Sequence, residues 1–401
     1  MSNLQPVDHA PQFSKQPHTP VRRVGVIGGG QLAWMMAEAA QTLGIELIVQ
    51  TPSPHDPAVA IATQTVLAPV ADAHATAQLA KQCDVITFEN EFVDLAALAE
   101  LEQAGVHFYP SLQSLEPLLD KYRQQSFLQA NGLANPQFAA VTIEELLNTA
   151  TTFPLVLKTR RHGYDGQGTF ILKNQDSLTD LASRLSGVPL LKEAFIPFER
   201  ELAVMAARSQ TGEIVVYPVV ETEQADQVCR RVYAPAAVSE AVTAQVDAIA
   251  RTILAQLEFV GILGIELFLT KDGTVLVNEI APRTHNSGHY TLDACATSQF
   301  EQQLRAVCGF PLGSPTMKVP GAVMVNLLGY EHAQSDYANK RAQLVQLPNA
   351  QVHWYGKAES RPGRKLGHVT VLLHEQPDQT MQQQAIAIAQ AIETIWYGSA
   401  T

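Results

Sequence analysis

Cysteine is scarce in this sequence, and no two cysteines are closely spaced. The 401 residues contain four cysteines and no Cys-x-x-Cys pair, which argues against a disulfide framework and against a cysteine-ligated zinc site. Long apolar runs are also missing, since none reaches the roughly 18 residues that a transmembrane helix needs. The composition therefore predicts free thiols in a reducing compartment and no membrane span.

Basic residues are outnumbered as well. The chain has 27 lysines and arginines against 39 acidic residues, which gives a net charge of −12. This balance argues against a protein whose main task is to bind nucleic acid or anionic lipid, because neutralising phosphates needs a basic surface. A small phosphorylated ligand in a local basic pocket is compatible with it.

The first twenty residues have no apolar core. They contain four prolines together with Asp8 and Lys15, so we interpret residues 1–20 as a disordered leader and not as a signal peptide. The remaining chain is long enough for two or three domains, and we expect a cytoplasmic protein.

Strand and helix patterns alternate after this leader. Residues 24–27 predict a buried strand, residues 31–43 predict a helix that ends at Gly44, and residues 106–108 predict a further short strand. The order strand, glycine turn, helix, strand indicates a parallel sheet covered by helices. Short strands dominate later, with a long helix over 239–257. We predict a multidomain α/β and α+β fold, divided into residues 21–114, 115–315 and 316–401.

A glycine turn follows the first strand, in the pattern Gly28-x-Gly30-x-x-Ala33. Glycines at such a place let a ligand approach the backbone at a helix start. Dinucleotide-binding folds also have an acidic residue at the end of the second strand, where this chain has Gln50. Three interpretations stay open: a dinucleotide, which is the least favoured, another anion, or no ligand.

A second glycine-rich segment, Gly-Tyr-Asp-Gly-Gln-Gly at 163–168, lies between two predicted strands. It lacks the Gly-Lys-Ser/Thr of a Walker P-loop. Its amides can surround phosphate oxygens, so we predict a β-hairpin flap over a nucleotide. Lys158, at the end of the incoming strand, suits the same phosphates. A plain hairpin turn is the alternative.

Two glutamates face each other in a predicted hairpin. A two-residue turn at Asp272-Gly273 places Glu266 directly opposite Glu279. Facing like charges destabilise a hairpin and raise one carboxyl pKa, whereas Mg²⁺ between two carboxylates and phosphate oxygens removes the conflict. Asn278 adds a neutral oxygen if the strand bulges. The alternative is one protonated or solvated glutamate at a sheet edge.

The polar stretch at 281–289, Ala-Pro-Arg-Thr-His-Asn-Ser-Gly-His, follows directly. Arg283 suits bidentate binding of a carboxylate or a bicarbonate-like anion. A Ser–His hydrolase is disfavoured, because the chain has no Gly-x-Ser-x-Gly elbow. We expect the stretch to line a cleft, with a solvent-exposed loop as the alternative.

A basic cluster lies near the C-terminus of this acidic chain. It consists of Lys357, Arg361, Arg364 and Lys365. Such a cluster predicts a local phosphate site, and a solvated charged turn is the alternative.

Together these motifs resemble those of the ATP-grasp superfamily and, within it, the N5-carboxyaminoimidazole ribonucleotide synthetases of purine biosynthesis. The most specific string is His-Asn-Ser-Gly-His at 285–289; Thr-Phe-Glu-Asn-Glu at 87–91 and Arg-Lys-Leu-Gly-His at 364–368 support it. The resemblance runs from about residue 21 to the C-terminus. It implies an N-terminal parallel-sheet (pre-ATP-grasp) domain, a central ATP-grasp domain with a flap subdomain at about 135–192, and a small β-rich C-terminal domain.

The resemblance implies an ATP site and a cation site. Gln224 stands where the family commonly has a histidine. The residues implied for ATP are Lys121, Lys158, Gly163, Tyr164, Asp165, Gly166, Gln167, Gly168, Glu193, Ala194, Phe195, Ile196, Glu201, Gln224, Asn278 and Glu279. The residues implied for Mg²⁺, or Mn²⁺ in its place, are Glu266, Glu279 and Asn278.

It also implies sites for two further substrates. Asp165 or a nearby histidine would take the amine proton, and the sequence does not choose between them. The residues implied for 5-aminoimidazole ribonucleotide are Gln31, Leu32, Glu89, Asn286, Ser287, His289, Lys357, Arg364 and Lys365. The residues implied near bicarbonate and a carboxyphosphate intermediate, as the catalytic set, are Tyr164, Asp165, Arg283 and His285.

The implied enzyme is a homodimeric ligase that converts ATP, bicarbonate and the ribonucleotide into ADP, phosphate and N5-carboxyaminoimidazole ribonucleotide. Three alternatives stand beside it. Another ATP-grasp carboxylate–amine ligase, such as a formate-dependent glycinamide ribonucleotide transformylase, is disfavoured by the string at 285–289. A Rossmann oxidoreductase is disfavoured by Gln50, and a non-catalytic nucleotide sensor by retention of Lys158, Glu266 and Glu279.

Overall fold

The computed structural model describes residues 21–161, 168–225, 227–357, 359–376 and 378–398. Within these ranges, no helix is both long and apolar enough to cross a bilayer. The leader and five predicted flap residues lie outside the described residues: Gly163, Tyr164, Asp165, Gly166 and Gln167.

The first part of the chain folds as a parallel sheet in the order β3-β2-β1-β4. The inner strand β1 is buried from Val24 to Ile27, as expected of a parallel strand with helices on both faces. Its strands are β1 (Arg23–Ile27), β2 (Glu46–Thr51), β3 (Gln64–Leu67) and β4 (Val85–Phe88). Its helices are α1 (Gln31–Trp34), α2 (Ala37–Leu43), α3 (Ala73–Ala80), α4 (Leu95–Gln103) and α5 (Leu112–Leu115), with a 3₁₀ turn at Pro57–Ala60.

Two sequence predictions for this part are wrong in detail. The helix predicted over 31–43 is interrupted, because the Met36 N–H donates to Ala33 three residues back and tightens the turn. The break allows both Met35 and Met36 to be buried. The strand predicted over 106–108 is only a single bridge between Ile86 and Phe108.

A small antiparallel sheet in the order β5-β8-β6-β7 follows. The strands predicted on either side of 163–168 are confirmed: β6 pairs with β7, and Lys158 lies opposite Thr169. The strands are β5 (Phe138–Val141), β6 (Leu155–Thr159), β7 (Thr169–Leu172) and β8 (Leu190–Ala194), and the helices are α6 (Lys121–Ala130), α7 (Ile143–Leu147) and α8 (Gln175–Leu185).

A nine-stranded antiparallel sheet forms the rest of the scaffold, in the order β14-β13-β9-β11-β12-β15-β19-β17 with β10 beside β9. Because β12 pairs with β15, the C-terminal strands continue the central sheet. The strands are β9 (Arg200–Arg208), β10 (Ile214–Val216), β11 (Val220–Ala225), β12 (Val228–Ala234), β13 (Gly261–Leu269), β14 (Val275–Ala281), β15 (Gly321–Leu328), β17 (Ala350–Trp354) and β19 (Lys365–Leu373); a separate pair is β16 (Ala333–Gln334) with β18 (Glu359–Ser360).

Five helices and a 3₁₀ turn accompany this sheet. The predicted helix over 239–257 is confirmed as α9, which Ser239 caps by accepting the Val242 N–H. Its buried residues recur every three or four positions, from Val242 to Leu254, which is the apolar stripe of a helix on a sheet. The helices are α9 (Glu240–Gln256), α10 (Thr291–Ala294), α11 (Gln299–Val307), α12 (Ala338–Val345) and α13 (Met381–Tyr397), and the 3₁₀ turn is Asn286–Gly288.

Candidate active site

The facing glutamates of the β13–β14 hairpin are confirmed. Glu266 lies opposite Glu279, and the register shifts by one between this pair and the pairing of Leu267 with Val277. The shift leaves Asn278 in the bulge that the sequence analysis required for it. The Asn278 side chain accepts from Lys158 Nζ at 2.9 Å, the amine whose pKa the charges of both glutamates raise.

The turn of that hairpin differs from the prediction. Backbone hydrogen bonds from Thr270 to Thr274 and from Gly273 to Thr270 enclose three residues, not two, with Gly273 in the left-handed region at φ 83°. This is the three-residue hairpin with a glycine at its last position. The extra turn residue and the bulge shift the register in opposite directions, so the two glutamates still face each other.

Burial and neighbouring charges shift the pKa values of the two carboxyl groups in opposite directions. Burial and the charge of Glu279 raise the pKa of Glu266 to about 7. Burial opposes ionisation of Glu279 too, yet Lys121 and Lys158 hold the pKa of that carboxyl below its usual value. The pair therefore carries the electrostatic conflict expected of facing carboxylates without a cation.

Lys158 lies at the centre of a buried polar network. Its Nζ is 2.7 Å from Glu193 Oε2 and donates to Asn278 Oδ1 at 2.9 Å. Burial alone would lower the pKa of this amine, but the charges of Glu193, Glu279 and Glu266 raise it. The lysine stays protonated beside the paired glutamates, and Lys121 forms an ion pair with Glu279.

Two glutamines of α6 hold this network in place. Gln124 donates to the Ile280 carbonyl at 2.9 Å and accepts the Ile280 N–H at 2.8 Å. Gln125 donates to Glu193 Oε1 at 2.9 Å and to the Asn278 carbonyl at 3.0 Å. Neither was predicted; their signal is a pair of adjacent glutamines about one turn after Asp120, which caps the start of the helix.

The segment predicted to meet adenine and ribose runs from the end of β8 to the start of β9. The Glu193 carboxylate turns inward to Lys158, whereas Ala194 and Phe195 are exposed and Ile196 is half-buried. Burial and the charge of Glu266 raise the pKa of Glu201 to about 7.

Two other residues implied for ATP lie nearby. Gln224 is exposed at the border of the cleft, and Gly168 accepts the Thr159 N–H at 2.7 Å. The nucleotide contacts of all these residues stay predictions.

Arg283 and His285 stand together in the wall of the cleft. Arg283 Nε is 2.9 Å from Glu91 Oε1, which ties the 281–289 stretch to the first sheet. His285 Nδ1 is 2.9 Å from Ser287 Oγ, and its Nε2 is 3.5 Å from Glu266 Oε1. Glu91 is a further residue, after Gln124 and Gln125, to which the sequence gave no predicted role, although it ends the quoted string at 87–91.

The other side chains of this stretch are more deeply buried than a solvent loop allows. Asn286 exchanges two amide hydrogen bonds with Asn326, at 2.9 and 2.7 Å. His289 Nδ1 is 3.0 Å from Gln299 Nε2. Asn286 and His289 border the cleft, but these polar atoms are engaged by the protein; substrate contacts of Asn286, Ser287 and His289 stay predictions.

Beneath His289 lies a group of aromatic side chains and one carboxylate. The His353 and His368 rings stack at 4.5 Å and 15°, while His353 Nε2 is 2.9 Å from Asp293 Oδ2 and His368 Nδ1 is 2.8 Å from the Tyr355 hydroxyl. Stacked rings direct their nitrogen lone pairs along parallel planes and not toward one ion. We interpret the group as packing, and burial keeps the pKa of His368 well below its usual value.

The first glycine turn holds a carboxylate of the protein itself. Glu89 accepts the backbone N–H of Gly30 at 3.0 Å and of Leu32 at 3.2 Å, and a Cβ on Gly28 or Gly30 would collide with it. Glu89 therefore occupies these two amides in this structure, and the three interpretations of the turn stay predictions. Gln50 is likewise internal and donates to the Pro69 carbonyl at 2.8 Å.

The basic cluster joins the first and last parts of the chain. Lys357 Nζ donates to Gln31 Oε1 at 2.8 Å and to the Lys365 carbonyl at 2.9 Å. Arg364 donates to Glu359 Oε2 at 3.3 Å. All four predicted basic residues border a cavity of about 1140 Å³ that Gln31, Leu32, Glu89 and Arg230 also line.

A second cavity, of about 1000 Å³, contains Lys121 and the paired Glu266 and Glu279. The two cavities share a wall that includes Arg283 and His285. The predicted cation site and the predicted phosphate site therefore open onto the same pair of side chains.

Comparisons with known proteins agree with this architecture. Three family models match consecutive segments: the ribonucleotide synthetase preATP-grasp domain at residues 21–117, the ATP-grasp domain at 126–300, and the phosphoribosylaminoimidazole carboxylase C-terminal domain at 322–383. The predicted domain boundaries at 114 and 315 stay predictions.

Relatives match over nearly their whole length. N5-carboxyaminoimidazole ribonucleotide synthase of Synechococcus elongatus is 58% identical over 94% of this chain and 96% of its own. The same-named protein of Synechocystis is 52% identical over 94% and 99%.

Solved structures also match over nearly the whole chain. The Thermotoga maritima synthetase superposes with a TM-score of 0.82 at 40% identity, over 93% of this chain and 98% of that one. The Aspergillus clavatus enzyme, in complex with ADP and 5-aminoimidazole ribonucleotide, gives 0.85 at 34% identity, over 94% and 98%. The chain belongs to the N5-carboxyaminoimidazole ribonucleotide synthase family.

Proposed function

We propose that this chain carboxylates 5-aminoimidazole ribonucleotide with bicarbonate at the expense of ATP, giving ADP, phosphate and N5-carboxyaminoimidazole ribonucleotide. The observation that carries the proposal is the meeting of two cavities at Arg283 and His285. One cavity has the chemistry for ATP phosphates and the other the chemistry for a ribonucleotide phosphate. An intermediate made on one side can reach an amine on the other without entering bulk water.

The ATP side combines two lysines with two facing carboxylates. Lys121 and Lys158 suit the phosphate oxygens as fixed positive charges. Glu266 and Glu279 supply the hard oxygen ligands that Mg²⁺ takes, and the raised pKa of Glu266 marks a charge conflict that a cation relieves. Asn278 is the third implied ligand, although its Oδ1 accepts from Lys158. A bound cation supplies charge neutralisation at the transferring phosphoryl group.

The ribonucleotide side combines the basic cluster with the first glycine turn. Lys357, Arg364 and Lys365 face a cavity in an otherwise acidic chain, so they suit a phosphate. Gln31 and Leu32 line the same cavity beside Lys357, and Glu89 holds the backbone N–H groups of Gly30 and Leu32. This arrangement would direct the exocyclic amine toward Arg283.

At the shared wall, bicarbonate is first activated by phosphorylation, and the resulting intermediate is then kept away from water. A bicarbonate oxygen attacks the γ-phosphorus of ATP, ADP leaves, and carboxyphosphate forms. The amine nitrogen then attacks the carboxyl carbon, or CO₂ released from it; phosphate departs, and the amine proton passes to Asp165 or to a nearby histidine, the two candidates from the sequence. Arg283, held by Glu91, suits the carboxylate oxygens through a bidentate contact, and exclusion of water protects the intermediate.

The test is ADP release with Mg·ATP and bicarbonate, with and without 5-aminoimidazole ribonucleotide. We expect a strong increase on adding the ribonucleotide and a strict requirement for bicarbonate. ATP turnover that ignores the ribonucleotide would overturn the substrate assignment. Turnover that needs formate in place of bicarbonate would favour the transformylase alternative.

We also infer that the enzyme is a cytoplasmic homodimer. The family resemblance supports the dimer, and the free state of all four cysteines is compatible with a reducing compartment. Light scattering during size-exclusion chromatography tests the dimer: a particle with the mass of one chain at micromolar concentration contradicts it.

A further inference from the structure

Gln299 on α11 makes three hydrogen bonds to the 285–289 stretch. Its side chain is fully buried. The amide oxygen accepts the His285 N–H at 2.9 Å, and the amide nitrogen is 2.8 Å from the His285 carbonyl and 3.0 Å from His289 Nδ1. Both amide hydrogens and the oxygen are thereby used, so one side chain holds the backbone of the first histidine and the ring of the second.

The fit around this amide is close on both sides. A Cβ on Gly288 would lie 2.6 Å from Gln299 Oε1, and a Cβ on Gly264 would lie 2.6 Å from the His285 Cβ. His285 is therefore confined between β13 and the Gln299 amide. Because its Nδ1 meets Ser287 Oγ, its Nε2 faces Glu266.

We propose that Gln299 is a positioning residue for carboxylation. It acts through His285, whose ring it aims at Glu266 and at the wall shared by the two cavities. The donation to Nδ1 also requires an unprotonated nitrogen there, so the amide fixes the tautomer of the neutral His289 ring. The inference rests on the proposed function, since positioning matters only if the shared wall is the place of transfer.

The same helix offers a matched control. Gln302 is also fully buried; it donates to the Gly313 carbonyl at 2.8 Å and accepts the Gly313 N–H at 2.8 Å. It makes the same double amide contact with a loop that borders neither cavity. Loss of either glutamine removes two hydrogen bonds to the backbone of one residue, although the His285 carbonyl still accepts the Gly288 N–H at 3.0 Å.

The experiment compares Gln299→Met with Gln302→Met. We expect similar shifts of the urea unfolding midpoint but different kinetics. In Gln299→Met, kcat for the carboxylated product falls at least about tenfold, as small misplacement of reacting groups produces, with KM for ATP changed less than about twofold and fewer products formed per ADP. Gln302→Met keeps the kcat and product ratio of the unmodified enzyme.

A second variant keeps the shape of the side chain. In Gln299→Glu the ionised carboxylate cannot donate to the His285 carbonyl, but a protonated carboxyl can. Burial raises the pKa of such a carboxyl, so we expect the relative activity of this variant to recover as the pH falls from 8 to 6, unlike that of the unmodified enzyme. If Gln299→Met does not fold, the pH profile of Gln299→Glu tests the proposal by itself.

Two results would overturn the proposal: equal kcat losses in the two Met variants, or a Gln299→Glu profile parallel to that of the unmodified enzyme. Failure of the proposed function is a separate result. It would show as no ribonucleotide-dependent ADP release in the unmodified enzyme, before any variant is measured.

Discussion

At the scale of single residues, Glu279 carries two tasks. Its carboxylate forms an ion pair with Lys121 and lies opposite Glu266. In Glu279→Gln, Lys121 loses its ion-pair partner, and a bound cation would lose one negatively charged oxygen ligand. We expect ATP turnover to fall at least about 100-fold, as when a group that stabilises transferring charge is removed, with partial recovery at high Mg²⁺.

The control for that variant is Glu240→Gln, because Glu240 is exposed at the start of α9. Circular dichroism and the urea midpoint establish that both variants fold. Unchanged ATP turnover in folded Glu279→Gln would show that the metal assignment is wrong.

The buried histidines predict a loss of stability in acid. Burial lowers the pKa of both His289 and His368 well below the ordinary value, so the unfolded chain binds protons that the native chain does not. Their contribution to stability is full above about pH 6.5 and is lost as the pH falls below it. Each histidine adds about 1.4 kcal/mol per pH unit to that loss.

The check is the free energy of unfolding at pH 7.5 and at pH 5.5. We expect His368→Gln to flatten the acid slope and His374→Gln to leave it unchanged, since His374 is exposed. Equal slopes in all three proteins would contradict the assignment.

At the scale of elements, the β13–β14 hairpin shows what a sequence can predict. Its facing glutamates were predicted from the Asp-Gly turn and the apolar neighbours. The turn length was not, because Asp-Gly fits a two-residue and a three-residue turn alike. The bulge lies where Gln124 and Gln125 of α6 bind Ile280 and the Asn278 carbonyl, and the two departures cancel at Glu266 and Glu279.

Helix α11 was not predicted, although its apolar residues Phe300, Leu304 and Val307 follow the spacing of a helix face. Its buried face also carries Gln299, Gln302 and Gln303, and only the tertiary contacts of these amides explain why they are inside. The polar stretch at 285–289 was therefore predictable from the sequence, but the side chain that holds it was not.

A substitution at Gln303 tests how much a buried amide side chain contributes to the free energy of unfolding. It donates to Thr87 Oγ1 at 2.7 Å and accepts the Ile262 N–H at 2.7 Å, which joins β4 to β13 across two parts of the chain. Gln303→Leu leaves both groups unpaired, so we expect the free energy of unfolding to fall by about 1–3 kcal/mol. Gln343→Leu, at an exposed position of α12, is the control and should change it by less than about 0.5 kcal/mol.

At the scale of the whole molecule, the three parts of the chain converge on one wall. The first part contributes Glu91, the central hairpin leads into Arg283, and the last part contributes Lys365, which borders both cavities. The Arg283–Glu91 pair is thus both a contact between parts of the chain and the place where the cavities meet. Coupling between ATP turnover and carboxylation should depend on it.

Arg283→Lys tests that coupling. Lysine keeps the positive charge but loses the planar fork that binds two oxygens at once, while Lys121, Lys158 and the paired glutamates are untouched. We expect product formation to fall about 100-fold and ribonucleotide-independent ADP release to change less than about threefold, so that product per ADP collapses. Arg251→Lys, at an exposed ion pair on α9, should preserve the ratio. A parallel loss of both activities in Arg283→Lys would mean that Arg283 serves the ATP cavity alone, and that the shared wall is not where the carboxyl group is transferred.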